Sequence, residues 1–316
     1  MHFIFIPMLA LFLSILASVS LFILFRIFPK FQIHTFHAIT VNYVVCVITG
    51  VAFVDTSTLT SFNPSNWWFM ALFLGSMFIS TFYLMGTATQ KVGVTVTTVS
   101  SKMSMVIPVL VNLFIFQSTK EFDIWNVIGL VIALISIILS NMKEENEDNT
   151  QKNNTNLPAS PKTSNRFILP ISIFILGGII DTSISYSNIH LIQKGEEGIF
   201  PILLFATAGT IGLCIIIYQL ITKQEKFELK SIYAGIILGI PNYFSIYFLF
   251  KALTAFDGNG AFVLPVINIG IIVVATTFAA IFMGDKLTKT NIVGVAMAIL
   301  AIILLSYQKI IEFVVK

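Results

Sequence analysis

The sequence predicts an all-α integral membrane protein whose ten transmembrane helices form two inverted five-helix repeats. Three observations predict it: ten apolar stretches of membrane-spanning length, a shortage of charged residues, and an internal repeat. A hydrocarbon core of roughly 30 Å is crossed by about 20 apolar residues in a helix. On this criterion the spans lie at about 3–24, 33–54, 66–88, 93–117, 123–141, 167–189, 199–222, 231–252, 260–283 and 290–309.

Composition excludes most soluble functions. Charged residues make up 10% of the 316-residue chain and hydrophobic residues 56%, whereas a soluble domain has about 25% charged residues. A net charge of +3 is too small to indicate nucleic acid as a partner. Cys46 and Cys214 lie in apolar spans without a CxxC or ligand spacing, so we expect no disulfide, metal or other cofactor. The expected setting is the lipid bilayer of the cell membrane, crossed many times by a monomer or homodimer.

Residues that begin or follow individual spans of the first half support their assignment. The first span is apolar from Phe3 onwards with no basic segment before it, which predicts a retained helix rather than a cleaved signal peptide. Trp67 and Trp68 open the third span, where interfacial aromatic residues are expected. The polar segment 143–166 follows the fifth span and is too poor in apolar residues to fold, so we expect a disordered linker. It divides the chain into a first repeat (1–142), the linker (143–166) and a second repeat (167–316).

An internal repeat supports this division. NVIGLVIALISIIL (126–139) is similar to NIVGVAMAILAIIL (291–304) at a constant offset, and each copy follows a charged turn. Since five crossings are an odd number, two five-span repeats in one chain have opposite orientations in the membrane. That is the construction of many secondary transporters, whose substrate site lies near the bilayer midplane between the repeats.

The motifs near the ends of the two halves resemble those of EamA-domain members of the drug/metabolite transporter superfamily. The resemblance rests on VTTVSSKMSMVIPVL (96–110) and on VLPVINIGIIVVATTFAAIFMGDKLTKTNIVG (263–294). EamA repeats commonly read Gly-Glu-x-Leu followed by a further Gly. GDKL (284–287) and Gly294 follow this pattern with Asp in place of Glu, and the first half matches it more loosely. The resemblance implies the ten-helix fold and transport but names no substrate. Asp285 itself we interpret as a turn or helix-cap residue.

Two charged residues are predicted to lie deep in spans. Lys102 is in the fourth span on a polar stripe with Thr98, and Asp181 is in the sixth span with Ser185 one turn later. A charge at such depth costs at least about 2.5–3.5 kcal/mol, so each side chain should face a cavity or a partner. Lys102 then either anchors an anionic group of the substrate or forms a structural ion pair. Asp181 either carries a proton, which would couple transport to protons or ions, or pairs with Lys102 and links the halves.

Three further residues are candidates for substrate contacts. Asn242 follows Pro241 in the eighth span, and Tyr247 lies on the same helix. Asn268 follows Pro265 in the ninth span. Proline removes a helical hydrogen bond, and irregular backbone at membrane depth is tolerated where it lines a cavity. The alternative for each residue is a helix kink with a hydrogen bond between helices.

The distribution of basic residues leaves the orientation open. Twelve Lys and Arg residues lie in loops after odd-numbered spans, and five lie on the opposite side. By the positive-inside rule this count places both termini outside the cytoplasm. Members of the family that the chain resembles generally have cytoplasmic termini, so the two indications disagree.

Together these observations predict a secondary transporter rather than an enzyme. Its substrate would be a small organic metabolite, amino-acid-like or carboxylate-bearing, moved by alternating access between the two halves. The alternative is an integral-membrane enzyme acting on a lipid substrate. Such an enzyme needs clustered acids or histidines or a phosphate-binding glycine loop, and the chain has no HExxH or paired acidic motif.

Overall fold

The structure is a computed structural model that describes residues 2–53, 68–114, 123–142, 167–191, 199–222, 227–256, 260–285 and 287–315. Every regular element within these ranges is helical, and a short 3-10 turn (Phe28–Phe31) follows the first helix. The α-helices are α1 (His2–Ile27), α2 (Thr35–Phe53), α3 (Trp68–Lys91), α4 (Val94–Met103), α5 (Val106–Phe114), α6 (Ile124–Asn141), α7 (Ile168–His190), α8 (Ile199–Ile221), α9 (Leu229–Ala255), α10 (Gly260–Phe282) and α11 (Lys289–Val315).

Nine stretches in the described ranges are long and apolar enough to cross a membrane, and each coincides with a predicted span. At the predicted sixth span α7 contributes a shorter apolar stretch, Ile168–Ile184. The prediction of a helical, multi-pass membrane protein is therefore confirmed. The predicted linker at 143–166 lies outside the described residues.

Helix α6 shows why the chain needs lipid around it. One face of α6 is exposed and carries large apolar side chains: Ile124, Ile128, Val131, Ile135 and Ile138. The buried face carries small or polar residues: Asn126, Gly129, Ala133, Ser136 and Ser140. A helix at the surface of a water-soluble protein has the reverse pattern. In a membrane, large apolar side chains contact acyl chains, while small residues let helices approach and polar side chains bond across the contact.

The predicted fourth span is not one continuous helix. A turn at Ser104 and Met105 separates α4 from α5. Pro108 explains the turn, because it has no N–H to donate to the Ser104 carbonyl four residues earlier. That carbonyl accepts instead from the Ile107 N–H at 3.0 Å, in a tighter turn.

At the other two prolines the helix continues, which agrees with the alternative of a helix kink. Helix α9 runs through Pro241 and α10 runs through Pro265 without interruption. Each proline removes one helical hydrogen bond, and tertiary packing in a bundle can hold the rest of the helix together across that gap.

Helices α6 and α11 form an antiparallel pair in which two asparagines play the same part. Asn126 and Asn291 each lie in the first turn of one helix, and each side-chain amide donates to backbone carbonyls of the other helix or just beyond its end. The acceptors are Leu304 (3.2 Å) and Leu305 (3.3 Å) for Asn126, and Leu139 (3.3 Å), Ser140 (2.8 Å) and Met142 (2.9 Å) for Asn291. Because the two asparagines are equivalent positions of the sequence repeat, each copy of the repeat binds the other.

The same two asparagines also begin their own helices. Asp123 caps α6, where the Asn126 N–H donates to the Asp123 carboxylate and the Asp123 N–H donates to the Asn126 side chain. Thr288 and Asn291 make the corresponding pair of bonds before α11. Each asparagine therefore uses its side-chain oxygen in a capping box and its side-chain nitrogen between helices.

Asp123 is also bound from the end of the partner helix. Its carboxylate accepts a hydrogen bond from the Tyr307 hydroxyl of α11. This bond stabilises the ionised carboxylate and, with the Asn126 and Trp125 backbone N–H groups, holds the pKa of Asp123 below its usual value. The cap of α6 thus depends on a residue of the second half.

Contacts between helix ends identify the two faces of the bundle. At the first, which we name the Arg26 face, Arg26 at the end of α1 pairs with Asp285, which follows α10, and bonds to carbonyls at the end of α3. At the second, the Asp123 face, α6 begins and α11 approaches its end. Helices of the first half (α1–α6) and the second half (α7–α11) interleave: α2 packs on α8 and α9, α3 on α7 and α8, α1 on α9 and α10, and α4 on α7 and α10.

The interhelical hydrogen bonds predict that replacing either Asn126 or Asn291 lowers the stability of the folded protein by a similar amount. Replacing Asn126 or Asn291 by Ala removes interhelical bonds worth about 0.6–1.7 kcal/mol in a membrane, together with part of a capping box. Both variants should therefore lower the unfolding temperature in detergent by similar amounts, whereas Val127→Ala, at an exposed neighbouring position, should leave it nearly unchanged. Unchanged unfolding in both asparagine variants would contradict this assignment.

The Tyr307–Asp123 bond predicts a stability difference that depends on pH. Since the folded-state pKa of Asp123 is depressed, its stabilising contribution is present above the unfolded-state value of about 4 and is lost as pH falls through the folded-state value. Tyr307→Phe should therefore unfold at a lower temperature than the wild type near pH 7, and the difference should shrink below about pH 4. Tyr218→Phe, at an exposed position on α8, is the control. A difference that persists unchanged into acid would show that the Asp123 charge is not involved.

Candidate functional site

The α4–α5 turn lies at membrane depth and is flanked by a lysine. Lys102 is eight residues from the start of α4, which places it about 12 Å inside the bundle from the Arg26 face. The turn follows directly at Ser104 and Met105. Backbone that leaves the helix at this depth is found where it is buried in protein or borders a water-filled cavity.

Two glycines of α7 bring that helix against the turn. A Cβ atom on Gly177 would lie 2.9 Å from the Ser104 Cβ, and one on Gly178 would lie 2.2 Å from the Ile107 Cδ1. Neither position has space for a side chain. Asp181, one turn after Gly177 on the same face of α7, is held beside Ser104 by this close packing.

The Ser104 hydroxyl is shared between two oxygens. It lies 3.0 Å from the Asp181 Oδ2 and 2.7 Å from the Ser101 carbonyl oxygen. A hydroxyl has one proton to donate. When Ser104 donates to Ser101, the contact with Asp181 is a hydrogen bond only if the carboxyl group is protonated and donates to the hydroxyl. The site can therefore hold Asp181 in either protonation state.

Lys102 and Asp181 lie close together without a direct bond. They interact electrostatically, yet the part of the chain that the structure describes holds no ion pair or hydrogen bond to the Lys102 ammonium. The Lys102 side chain is half-buried and that of Asp181 is exposed, although Asp181 lies on the face of α7 that meets the α4–α5 turn. Two opposite charges thus lie at membrane depth, neither fully buried, without a direct bond between them.

Asn268 of α10 completes the group. Its side-chain nitrogen lies 3.7 Å from the Met105 sulfur, a weak contact, and its side chain is half-buried. We call Lys102, Ser104, Met105, Asp181 and Asn268 the central site. Its members come from α4 and the following turn in the first half, and from α7 and α10 in the second half.

Two of the predicted site residues, Thr98 and Ser185, are not among the described residues of the central site. Thr98 is fully buried, and its hydroxyl donates to the Val94 carbonyl of its own helix at 2.8 Å. The polar stripe shared with Lys102 therefore does not continue along an open surface. The side chain of Ser185 lies outside the described side chains, although α7 includes its backbone.

The remaining two candidates lie on α9, which packs mainly against α1 and α2. Asn242 is buried, and its side-chain nitrogen donates to the Asn42 side-chain oxygen of α2 at 3.1 Å. Tyr247 stacks on Tyr243 with ring centroids 6.1 Å apart, and the Lys251 ammonium lies 4.9 Å from its ring centroid. The Asn242 bond joins α9 to α2, whereas these contacts of Tyr247 lie within α9. Neither connects its residue with the central site.

The sequence identified Lys102 and Asp181 as candidate site residues, but it did not identify the hydrogen-bond partners of Asp181 and Asn242. Ser104 beside Asp181 and Asn42 beside Asn242 were not predicted as pairs. Ser104 carried a usable signal, because it stands four residues before Pro108 and so at the carbonyl that proline leaves without a donor. Asn42 had no comparable signal in the sequence, because it is simply a polar residue in an apolar span. Among the described residues, no group of three or more His, Cys, Asp and Glu side chains could hold a metal ion.

Comparison with known proteins names no activity for the chain. It is 26% identical over 307 residues to a protein of Haemophilus influenzae (strain ATCC 51907 / DSM 11121 / KW20 / Rd) that is described as uncharacterized. The match covers 93% of this chain and 96% of that protein. No protein-family model matches the sequence.

A solved crystal structure of another protein is similar in fold. Its TM-score to this chain is 0.56, with 95% of this chain and 98% of the other covered, at 11% sequence identity. At that identity the similarity concerns the fold alone. The arrangement of helices along nearly the whole chain is therefore one that an experimentally determined protein also adopts.

The packing of α7 on the turn predicts an asymmetric response to two glycine substitutions. In Gly178→Ala the new methyl group would meet Ile107 atoms at 2.2 and 2.5 Å, and overpacking of this kind costs about 1–3 kcal/mol. In Gly209→Ala the new methyl group would lie 3.4 Å from the Tyr43 Cβ, an ordinary contact. We expect a clearly lower unfolding temperature for Gly178→Ala and little change for Gly209→Ala. Equal effects would show that α7 does not pack on the turn as described.

Proposed function

We propose that this protein is a secondary transporter that moves a small organic metabolite across the cell membrane by alternating access. The observation that carries the proposal is the central site, where an ammonium and a carboxylate lie at membrane depth, neither fully buried, without a direct bond between them. A structural ion pair would be closed by direct contact, because unpaired charge at this depth is costly. Groups held apart in this way are free to bind the charges of a solute.

The chemistry of the site favours a substrate that carries a carboxylate, such as an amino-acid-like molecule. Lys102 would bind the carboxylate as a point charge. Asp181 would bind a substrate ammonium group or, in its protonated form, a proton that is released at the other face. The Asn268 amide can donate and accept hydrogen bonds, and its weak contact with Met105 leaves it available for a substrate.

The arrangement of the helices supports two inverted repeats. The bonds of Asn126 to α11 and of Asn291 to α6 are equivalent under the same offset that relates the two sequence copies. Other contacts come in matching pairs when α1, α2, α3, α4 with α5, and α6 are set against α7, α8, α9, α10 and α11. Thus α1 packs on α9 as α7 packs on α3, and α2 on α9 as α8 on α3. This arrangement agrees with the resemblance to EamA-domain transporters.

Alternating access follows from that arrangement. Helices of the first half contact helices of the second half at both faces, and the central site lies between them. A tilt of one half against the other would open the site to one face while closing it to the other. The α4–α5 turn gives the fourth span a point at which two short helices can reorient separately.

The test begins with a probe substrate. A thermal-shift screen of purified protein against amino acids, other carboxylates and amines identifies a compound that stabilises the protein. Uptake of that labelled compound is then measured in proteoliposomes. Lys102→Ala and Asp181→Asn should each lower uptake by tenfold or more, since loss of one partner of a buried charge contact costs about 2–5 kcal/mol.

Matched controls separate the site from general effects of charge. Lys230→Ala and Glu228→Gln remove the same kinds of charge from exposed positions at the start of α9, and both should transport like the wild type. Wild-type uptake by the Lys102 and Asp181 variants would remove the central site from the mechanism. Turnover of a lipid without uptake of any solute would favour the alternative, a membrane enzyme.

A further inference from the structure

A partly buried ion pair joins the two halves at the Arg26 face. The Arg26 guanidinium at the end of α1 lies 2.8 Å from the Asp285 carboxylate, which follows α10, and the two side chains are 30% and 11% exposed. The same guanidinium donates to the Thr89 and Gln90 carbonyls at the end of α3, at 3.4 and 3.0 Å. Arg26 thus connects two helices of the first half to one turn of the second.

The second oxygen of Asp285 reaches the helix that carries Lys102. It accepts a hydrogen bond from the Val94 N–H, the first N–H of α4, at 3.2 Å. Gly93, just before that helix, has a φ of +103°, a conformation that side chains rarely adopt, and a Cβ there would lie 3.1 Å from the Asp285 carboxylate. The sequence therefore allows the carboxylate to cap α4 from the opposite half of the molecule.

Among the described residues, contacts between the halves lie at both faces. At the Asp123 face, the hydrogen bond between Tyr307 and Asp123 lies within the α6–α11 pair, and the contact between α2 and α9 includes the rings of Phe53 and Tyr243, 6.0 Å apart. Within the described ranges, the ion pair between the halves lies at the Arg26 face. At the Arg26 face, four hydrogen bonds thus join the ends of α1 and α3 and the start of α4 to the turn after α10.

We propose that Arg26 and Asp285 form a latch that holds the Arg26 face closed, and that the latch opens when the central site becomes accessible from that face. The inference rests on the proposed alternating access, because only a transporter must open this face. Breaking the latch separates the α10–α11 turn from the ends of α1 and α3 and uncaps α4. The motion that opens the face therefore also frees the start of the helix that carries Lys102.

The test measures a distance across the latch and needs no substrate. Spin labels are attached at Lys91→Cys and Lys289→Cys, two exposed positions at the Arg26 face in opposite halves, in a Cys214→Ser background and in lipid nanodiscs. Pulsed electron spin resonance then gives the distance distribution. We expect a single short-distance population in the wild type, with an open state of a few per cent at most.

Asp285→Asn removes the charge but keeps an oxygen that can accept from Val94, and Arg26→Gln keeps donors for the α3 carbonyls. Each variant should raise the ratio of long to short distances about tenfold, equivalent to about 1.4 kcal/mol. The double variant should show no larger shift than either single variant, because both remove the same interaction. Glu228→Gln, which removes an exposed carboxylate at the same face, should match the wild type.

Unchanged distances in Asp285→Asn and Arg26→Gln would overturn the latch. If one of the two variants fails to fold, the other carries the test, since each removes one charge of the pair. An unshifted distribution in that variant would again overturn the proposal. Unchanged distances contradict the latch, whereas unchanged uptake in the Lys102 and Asp181 variants contradicts the proposed transport site. The two failures are therefore distinguishable.

Discussion

The acyl chains of a bilayer cannot form hydrogen bonds, and most polar groups in the helices of this chain find their partners within the protein. Backbone groups are satisfied within helices, which is the main constraint on any chain that crosses lipid. Polar side chains within the helices follow the same constraint. Threonine and serine hydroxyls, such as those of Thr98 and Ser136, bond to carbonyls of their own helix, and buried asparagines bond to neighbouring helices.

At the α4–α5 turn a helix is interrupted and two charged side chains lie beside the break. Pro108 removes one helical bond, the backbone turns tightly at Ser104, and Lys102 and Asp181 remain without direct neutralisation at the same depth. Charge that is not neutralised at this depth is costly, so we expect such groups to be retained where something else satisfies them. A bound solute with its own charges, or water that enters with it, meets that need.

Close helix packing is the second requirement, and glycines provide it. At Gly235 and Gly239 in α9, an added Cβ would lie 2.4 Å from Val41 and 2.7 Å from Val45 of α2. Without a hydrophobic driving force between helices in lipid, such close approach supplies much of the packing energy. The glycines of α7 do the same at the α4–α5 turn, and this fixes the position of Asp181 relative to Ser104.

The approximate positions of the spans could be predicted, because hydropathy depends on local sequence. The placement of Lys102 and Asp181 within spans follows from the same positions. The break in the fourth span was predictable in principle from Pro108, yet Pro241 and Pro265 carry the same signal and leave their helices intact. Tertiary packing decides between these outcomes. Helical spacing placed Thr98 and Lys102 on one stripe, but it did not reveal that Thr98 is buried, since periodicity gives a face and not what covers it.

The central claim is that open space reaches the central site from a membrane face. The direct measurement is the reactivity of single cysteines at Ser101 and Thr182, next to Lys102 and Asp181, with a membrane-impermeant thiol reagent in a Cys214→Ser background. Cells and inverted membrane vesicles present the two faces in turn, and Ser100→Cys, at a fully buried position, is the control. Labelling at 101 and 182 from one face but not at 100, with protection by a bound probe substrate, is the predicted result. Cysteines at 101 and 182 that stay unreactive from both faces would contradict the account.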